Sequence, residues 1–301
     1  MALTKYSMYA TLLANVVNVM INYFLIFGVW IFPKWGVTGA AVGTLASRVV
    51  MLVFIFILLY KDPKTASFIR GLFPFSFHKK ELRHLIKLGL PSSLQMFFEV
   101  SFFTFAIWVC GFLSKDAQAA NQIALNLSSM TFMVALGLSV AATIRVGNQK
   151  GLSAFRELKR IALSIFLLTL LLDIGFAGLF ILGNEWFPWL YLDPSTGVDT
   201  FAVVELAASL LFIAAFFQIF DGAQVVALGS LRGLQDVKIP TWITFLAYGL
   251  TGVPVMLYLS LKADMGAQGV WIGLSFGLVV SSLLLYLRFR YLSNKLIHIH
   301  G

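Results

Sequence analysis

Glu99 and Asp221 are carboxylates set inside apolar runs long enough to cross a bilayer, Leu88 to Leu113 and Phe201 to Gly229, with no basic residue nearby in sequence. A carboxylate at the middle of a membrane helix costs roughly 2.5 to 3.5 kcal/mol on insertion scales, so such an acid points to function and requires a partner. The partner these positions suggest is a mobile cation. Gln95 lies four residues before Glu99, and Gln218, Asp221 and Gln224 follow one another at i, i+3 and i+6. On helices these spacings gather oxygen donors along one face. Hard oxygens held away from water suit a small hard cation, and a buried carboxylate could equally carry a proton.

A second polar set precedes them. Asn15, Asn18 and Asn22 lie in the first apolar run, Asn18 and Asn22 one helical turn apart, and Thr44 lies in the second. Amides in this setting either contribute to a cation site or join helices by hydrogen bonds. Gln122, Asn126 and Ser129, with Met133 after them, mark one face of a later span. That face could meet a ligand of variable apolar shape, because Met adapts to varied surfaces, or could be ordinary helix packing. Phe217, one turn before Asp221, could offer a ring face to a cation or serve as core. Arg48, Asp173 and Glu205 also fall inside apolar runs; Arg48 is a candidate for an ion pair or a carbonyl contact, and the two acids for pairing or interfacial positions.

These residues must be positioned by a membrane bundle. Of the 301 residues 59% are hydrophobic and 12% charged, and the mean hydropathy is +0.89; a water-facing surface would need about twice that charge. The single Cys110 gives no internal disulfide, and His78, His84, His298 and His300 all fall in polar connections or the tail. No zinc or haem set is expected, and no cofactor beyond a coupling sodium ion or proton. Phosphate-cradling loops and nucleophile elbows are missing from the sequence, so an enzyme is not expected. Met1 to Ser7 reads as the start of the first span rather than as a cleaved leader.

Windows of about 19 residues pick out eight spans. They run from Tyr9 to Trp30, Val37 to Tyr60, Leu88 to Leu113, Ala117 to Val146, Leu158 to Gly183, Phe201 to Gly229, Ile239 to Leu261 and Met265 to Phe289. The segments Lys61 to Lys87 and Arg145 to Arg160 are rich in Lys and Arg, which places both in the cytoplasm. Alternate threading then puts Lys5, the Arg232 to Lys238 turn and the tail with Arg288, Arg290 and Lys295 on the same side, leaving Lys34, Lys115 and Lys262 outside. The Asn184 to Thr200 loop, with Glu185, Asp193 and Asp199 and no Lys or Arg, fits the outer face. Both termini are therefore expected in the cytoplasm. The net charge of +9 reads as topology rather than nucleic-acid binding. Residues 61–87, with Phe68, Phe73, Phe75 and Phe77 among their bases, read as a connector on the inner leaflet.

Gly36, Gly39 and Gly43 recur as Gly266, Gly269 and Gly273, each time 230 residues on, and each trio opens an apolar span. The last two spans look like a second copy of the first two, and parallel repeats of this kind mean two bundles. If one copy holds six helices, only two belong to the earlier bundle. The expected organisation is residues 1–60 from an N-terminal lobe, 61–87 as connector, 88–291 as a complete six-helix lobe and 292–301 as a cytoplasmic tail, in an all-α polytopic membrane protein.

Four strings share this order: Leu88-Gly-Leu-Pro-Ser-Ser-Leu-Gln-Met-Phe-Phe-Glu99, Ala119-Ala-Asn-Gln-Ile-Ala124, Ile144-Arg-Val-Gly-Asn-Gln-Lys-Gly151 and Asp221-Gly-Ala-Gln-Val-Val-Ala-Leu-Gly-Ser-Leu-Arg-Gly-Leu-Gln-Asp236. Together they resemble the MATE family of multidrug and toxic compound extrusion transporters, in its bacterial sodium-coupled branch, over Lys5 to Arg290. The family has twelve spans in two six-helix lobes, so the chain is similar to spans five to twelve. The resemblance implies exchange of sodium or protons for amphipathic, often cationic compounds across the bacterial inner membrane, by rocking of two lobes. It implies that Glu99 and Asp221 are the acids of the seventh and tenth helices and that Asn18, Asn22 and Thr44 match cation-binding positions of the N-terminal lobe. An acidic residue of the family's first helix, outside these eight spans, also belongs to that second site. The remaining helices would then have to be supplied for transport. Two other readings stand beside it: a lipid-linked saccharide flippase of the wider superfamily, and a membrane scaffold or fragment that does not transport. A flippase should carry bases in its cavity, where this sequence offers acids and only Arg48 against them.

Overall fold

The computed structural model describes residues 4–29, 33–63, 65–66, 78–192 and 200–300. Lys64, Arg70, Phe68, Phe73, Phe75 and Phe77 of the connector, and Asp193 and Asp199 of the acidic loop, lie outside the described residues. Eight helices long and apolar enough to span a membrane follow one another: α1 Thr4–Phe27, α2 Val37–Lys61, α3 Lys79–Leu113, α4 Lys115–Gly151, α5 Phe155–Gly183, α6 Thr200–Gly233, α7 Lys238–Lys262 and α8 Gly266–His300. No strand occurs among the described residues. Helices are what the apolar runs must form, since hydrocarbon offers no partner for an open backbone N–H or C=O. Polar residues mark the ends. The Ser114 side chain accepts from the N–H of Ala117 at 3.0 Å and caps α4, whose first turn holds Asp116 and last turn Lys150.

Two helices run past the boundaries that hydropathy gives. α3 starts at Lys79, nine residues before Leu88, and α8 continues to His300, so part of the expected connector and most of the expected tail are helical. Hydropathy reports where lipid ends, whereas a helix ends where its backbone is interrupted, and no Gly or Pro lies between Lys79 and Leu88 or after Gly277 before the terminus. Pro91 sits inside α3, and its carbonyl accepts from Thr241 Oγ1 of α7 at 2.8 Å.

The described chain forms two compact units, Met1–Lys79 and Lys80–Gly301. The first is the α1–α2 hairpin. In the second, α6 is the axle, packed on α4, α5 and α8. Close approach of α4 and α6 depends on small residues: a methyl on Gly233 would stand 2.8 Å from Thr143 O, and hydroxyls bridge the seam, Ser139 Oγ to Val225 O at 2.6 Å and Thr143 Oγ1 to Gly229 O at 2.9 Å. Fully buried Trp271 of α8 donates its indole N–H to Asn121 Oδ1 of α4 at 3.0 Å. Leu12, Leu52, Phe112 and Leu171 are among many large apolar side chains left exposed, as a lipid-facing surface requires. α7 contains two widened, π-type turns, Ala247–Gly252 and Tyr258–Lys262, on either side of a short α stretch that opens with Pro254.

The glycine repeat is a repeat of packing. Gly36 and Gly266 enter their helices with φ of 55° and 54°, a conformation that costs glycine little. A methyl built on Gly39 would stand 2.7 Å from Leu25 O, and one on Gly269 would stand 2.8 Å from Leu259 O. Gly43 faces Asn22, and Gly273 faces Met256. The α1–α2 and α7–α8 hairpins thus share one geometry. Because the atoms beside Gly273 are backbone, Gly273→Ala is expected to destabilise the protein by about 1 to 3 kcal/mol. Gly175→Ala on α5, where a methyl meets nothing within 4 Å, should leave thermal unfolding in detergent unchanged or slightly raised.

Candidate functional site

In the Lys80–Gly301 unit, Gln95 of α3 is buried, and its Nε2 donates to Glu99 Oε2 at 3.0 Å. Arg232, near the end of α6, donates from Nη2 to Gln95 Oε1. The guanidinium, the amide and the carboxylate form a short relay in which Arg232 also acts on Glu99 through space. Asp221, one helical face up α6, is 6% exposed, and its Oδ1 has no hydrogen-bond partner. It lies within electrostatic reach of Glu99. Tyr248, in the first widened turn of α7, exchanges hydrogen bonds with the Gln224 amide at 2.5 and 2.8 Å and faces both acids. Phe102 stacks on its ring with centroids 4.6 Å apart. Glu99, Asp221, Gln95, Gln224 and Tyr248 therefore meet inside one bundle, contributed by α3, α6 and α7.

Among the described residues the ion pairs are Arg160–Glu157 and Arg288–Asp236, both away from this interior. Asp221 has no fixed cation. No cluster of three or more His, Cys, Asp or Glu that could hold a metal ion occurs among the described residues. The donors that converge are carboxylate, amide and phenol oxygens, which suit a monovalent hard cation better than a transition metal.

The α1–α2 hairpin carries its own polar ladder. Asn22 Nδ2 donates to Asn18 Oδ1 at 3.1 Å, and Asn18 Nδ2 reaches Thr44 Oγ1 at 3.5 Å and Ser47 Oγ at 3.4 Å. Asn22 Oδ1 has no donor. In the matching α7–α8 hairpin the equivalents of Asn18, Asn22 and Ser47 are Gly252, Met256 and Gly277, with Gly252 closely packed on Gly277. The hairpin therefore forms without this ladder. Residues 1–60 contain no carboxylate, so the ladder can coordinate a cation but cannot neutralise it.

Other expected positions separate from these groups. Gln122, Asn126, Ser129 and Met133 form an exposed stripe on α4, with Met133 61% exposed. Phe217 needs correcting as a cavity residue: it is 2% exposed and packed edge-on against Trp271 and Phe103, which makes it core. Asn15, Arg48 and Glu205 are exposed. The base that acts on Glu99 is Arg232, and reading it only as a topology-setting charge hides this role. Its signal was the interval from Asp221 to Arg232, eleven residues, close to three helical turns, which returns Arg232 to the acidic face. Tyr248 had no comparable signal, because the widened turn that aims it depends on tertiary packing. Two surface hollows of about 230 and 320 Å³ flank the Leu234–Lys238 turn and do not include either acid.

A sequence model of the MatE family matches residues 91–257. The probable multidrug resistance protein NorM of Agrobacterium fabrum is 35% identical over 293 residues, which cover 96% of this chain and 62% of that protein. The multidrug resistance protein MdtK of Yersinia pestis is 34% identical over 298 residues, covering 97% and 64%. The fold matches the crystal structure of the eukaryotic MATE transporter AtDTX14 with a TM-score of 0.82 at 19% identity, over 97% of this chain and 64% of that one. The chain thus spans a little under two thirds of the length of these relatives. Its eight membrane helices, its α7–α8 copy of the α1–α2 hairpin and this match across more than half of its residues establish that the chain belongs to the MATE family.

Proposed function

We propose that this chain works in a secondary antiporter of the bacterial inner membrane that exports amphipathic, cationic compounds in exchange for sodium or protons, with Glu99 and Asp221 as the coupling carboxylates. The observation that carries this reading is Asp221: buried in a membrane helix, one oxygen without a donor, and no fixed cation. Such a group is stable only when a mobile cation neutralises it. Glu99 differs, since Gln95 and Arg232 give it a standing relay. Two acids in contrasting surroundings let one bind the ion while the other responds to it. Gln218 and Gln224 add amide groups beside Asp221, and Asn18, Asn22 and Thr44 supply a neutral ion-contacting set in the α1–α2 unit. The exposed Gln122, Asn126 and Met133 stripe is the surface assigned to the drug, because thioether and amides tolerate varied shapes. Alternating access of two lobes around these sites would couple the two fluxes.

Charge-removing, shape-preserving substitutions test the coupling. In energised membrane vesicles carrying the transporter, Glu99→Gln and Asp221→Asn should each reduce ion-driven efflux of a cationic dye at least tenfold with membrane expression unchanged. Efflux at the wild-type rate from either variant rejects that residue as a coupling group. Sodium against proton drive is separated by imposing each gradient alone.

Orientation is tested by labelling in a Cys110→Ala background. Glu185→Cys should react with an impermeant maleimide added to intact cells, whereas Lys295→Cys should react only after permeabilisation. The opposite pattern reverses the assignment of the termini to the cytoplasm.

A further inference from the structure

Asp173 is the one buried acid that the coupling scheme leaves unused. It lies on α5, 3% exposed, and its Oδ2 has no hydrogen-bond partner. The carboxylate presses directly on the backbone of α6 at Gly222, the residue after Asp221, so closely that a methyl group on Gly222 would overlap Oδ2. Gln218 of α6, 4% exposed, donates from Nε2 to the Asp173 main-chain oxygen at 3.4 Å, which leaves its own Oε1 without a partner. Asp221 Oδ1 is the third unsatisfied oxygen, and Asp221 feels the charge of Asp173. Three oxygens from three side chains, all more than nine-tenths buried, thus lie at one α5–α6 contact without a donor among them. Besides Asp173, the charged group acting on Asp221 is Glu99 on α3; Tyr248 on α7 senses both Glu99 and Asp221, and Arg232 at the end of α6 acts on Glu99. The base among them is engaged with Gln95 and Glu99.

Buried polar atoms without partners are rare in folded proteins, and an unpartnered carboxylate inside a membrane helix calls for an ion or a proton. Two carboxylates in one dry contact do not both stay ionised: they share a proton or hold a cation between them. A mere helix-joining role does not account for the arrangement, because a residue that joins helices uses its oxygens in hydrogen bonds, and here they remain open.

We propose that Asp173, Asp221 and the Gln218 carbonyl oxygen form a monovalent-cation site at the α5–α6 contact, with Asp173 as a third ion-binding carboxylate and Gly222 as the gap that admits it. The inference rests on the antiport reading and extends it from two acids to three. When the site is empty of metal, one proton bridges the two carboxyls; when sodium enters, that proton leaves to solvent and the ion takes its place among the three oxygens. The Gly222 gap explains why a small backbone segment sits beside the acid on α6.

The purified protein in lipid nanodiscs provides the test. Bound sodium-22 is counted at equilibrium, protons released on adding sodium chloride are read with a pH indicator in weak buffer, and the infrared band of protonated carboxyl groups is recorded without sodium. Asp173→Asn, which keeps volume and hydrogen bonding, should weaken sodium binding at least tenfold or, for a proton-only site, remove protonated-carboxyl intensity. Gly222→Ala keeps every charge but displaces the Asp173 carboxylate, and should act in the same direction. Glu205→Gln, an exposed acid on the same helix, should change nothing, and thermal unfolding of each variant reports folding. Sodium affinity, proton release and infrared band all unchanged in Asp173→Asn overturn the inference. If Asp221→Asn or Glu99→Gln abolishes the response while Asp173→Asn does not, the site fails and the antiport reading stands. Wild-type protein with neither sodium binding nor protonated carboxyl groups overturns both.

Discussion

Hydrocarbon leaves no polar group unanswered at low cost, and this constraint organises the Lys80–Gly301 unit. The backbone meets it by forming helices. The interior meets it by pairing: Ser139 and Thr143 give their protons to carbonyls of α6, Trp271 to Asn121, and Tyr248 to Gln224. Against that background the groups that remain unanswered stand out, and the acids among them are Asp173 and Asp221. Asp173 on α5, with Gln218 and Asp221 on α6, leaves three open oxygens that call for positive charge.

Glu99 shows the other solution. Arg232 holds Gln95, whose amide in turn holds the acid. The amide turns a strong local pairing into a weaker one, so the carboxylate is oriented without being permanently neutralised. An arginine set directly against the acid would quench it as an ion ligand; one amide away, it stabilises charge while leaving an oxygen free to respond.

The sequence was legible where hydropathy, charge bias and spacing speak directly. Glu99, Asp221, Gln95 and Gln224 could be placed on shared faces because i, i+4 and i, i+3 spacings survive folding, and the glycines at 36, 39 and 43 disclosed a hairpin whose twin the structure shows at 266, 269 and 273. Helix ends were less legible, since α3 and α8 extend into polar sequence with nothing to stop them. Phe217 was misplaced because periodicity gives a face of a helix but not what lies against it; Trp271 and Phe103 arrive from other helices. Tyr248 was invisible for the same reason, turned inward by a widened helical turn; Asp173 could be singled out as an acid in an apolar run, but not its contact with Gly222, which depends on a missing Cβ of a neighbouring helix.

The contrast between the two hairpins has an electrical consequence. Among the described residues every buried carboxylate belongs to the Lys80–Gly301 unit, while residues 1–60 offer amides and hydroxyls without an acid. The membrane potential acts on net charge, contributing about 2.3 kcal/mol per elementary charge carried across 100 mV. A neutral amide ladder feels a bound ion as added charge, but a carboxylate site that trades one cation for another feels almost none. Under the proposed antiport, voltage would bear on ion entry at Asn18 and Asn22 far more than on exchange at Asp221: the electrical force acts where the protein is neutral, the chemical gradient where it is acidic.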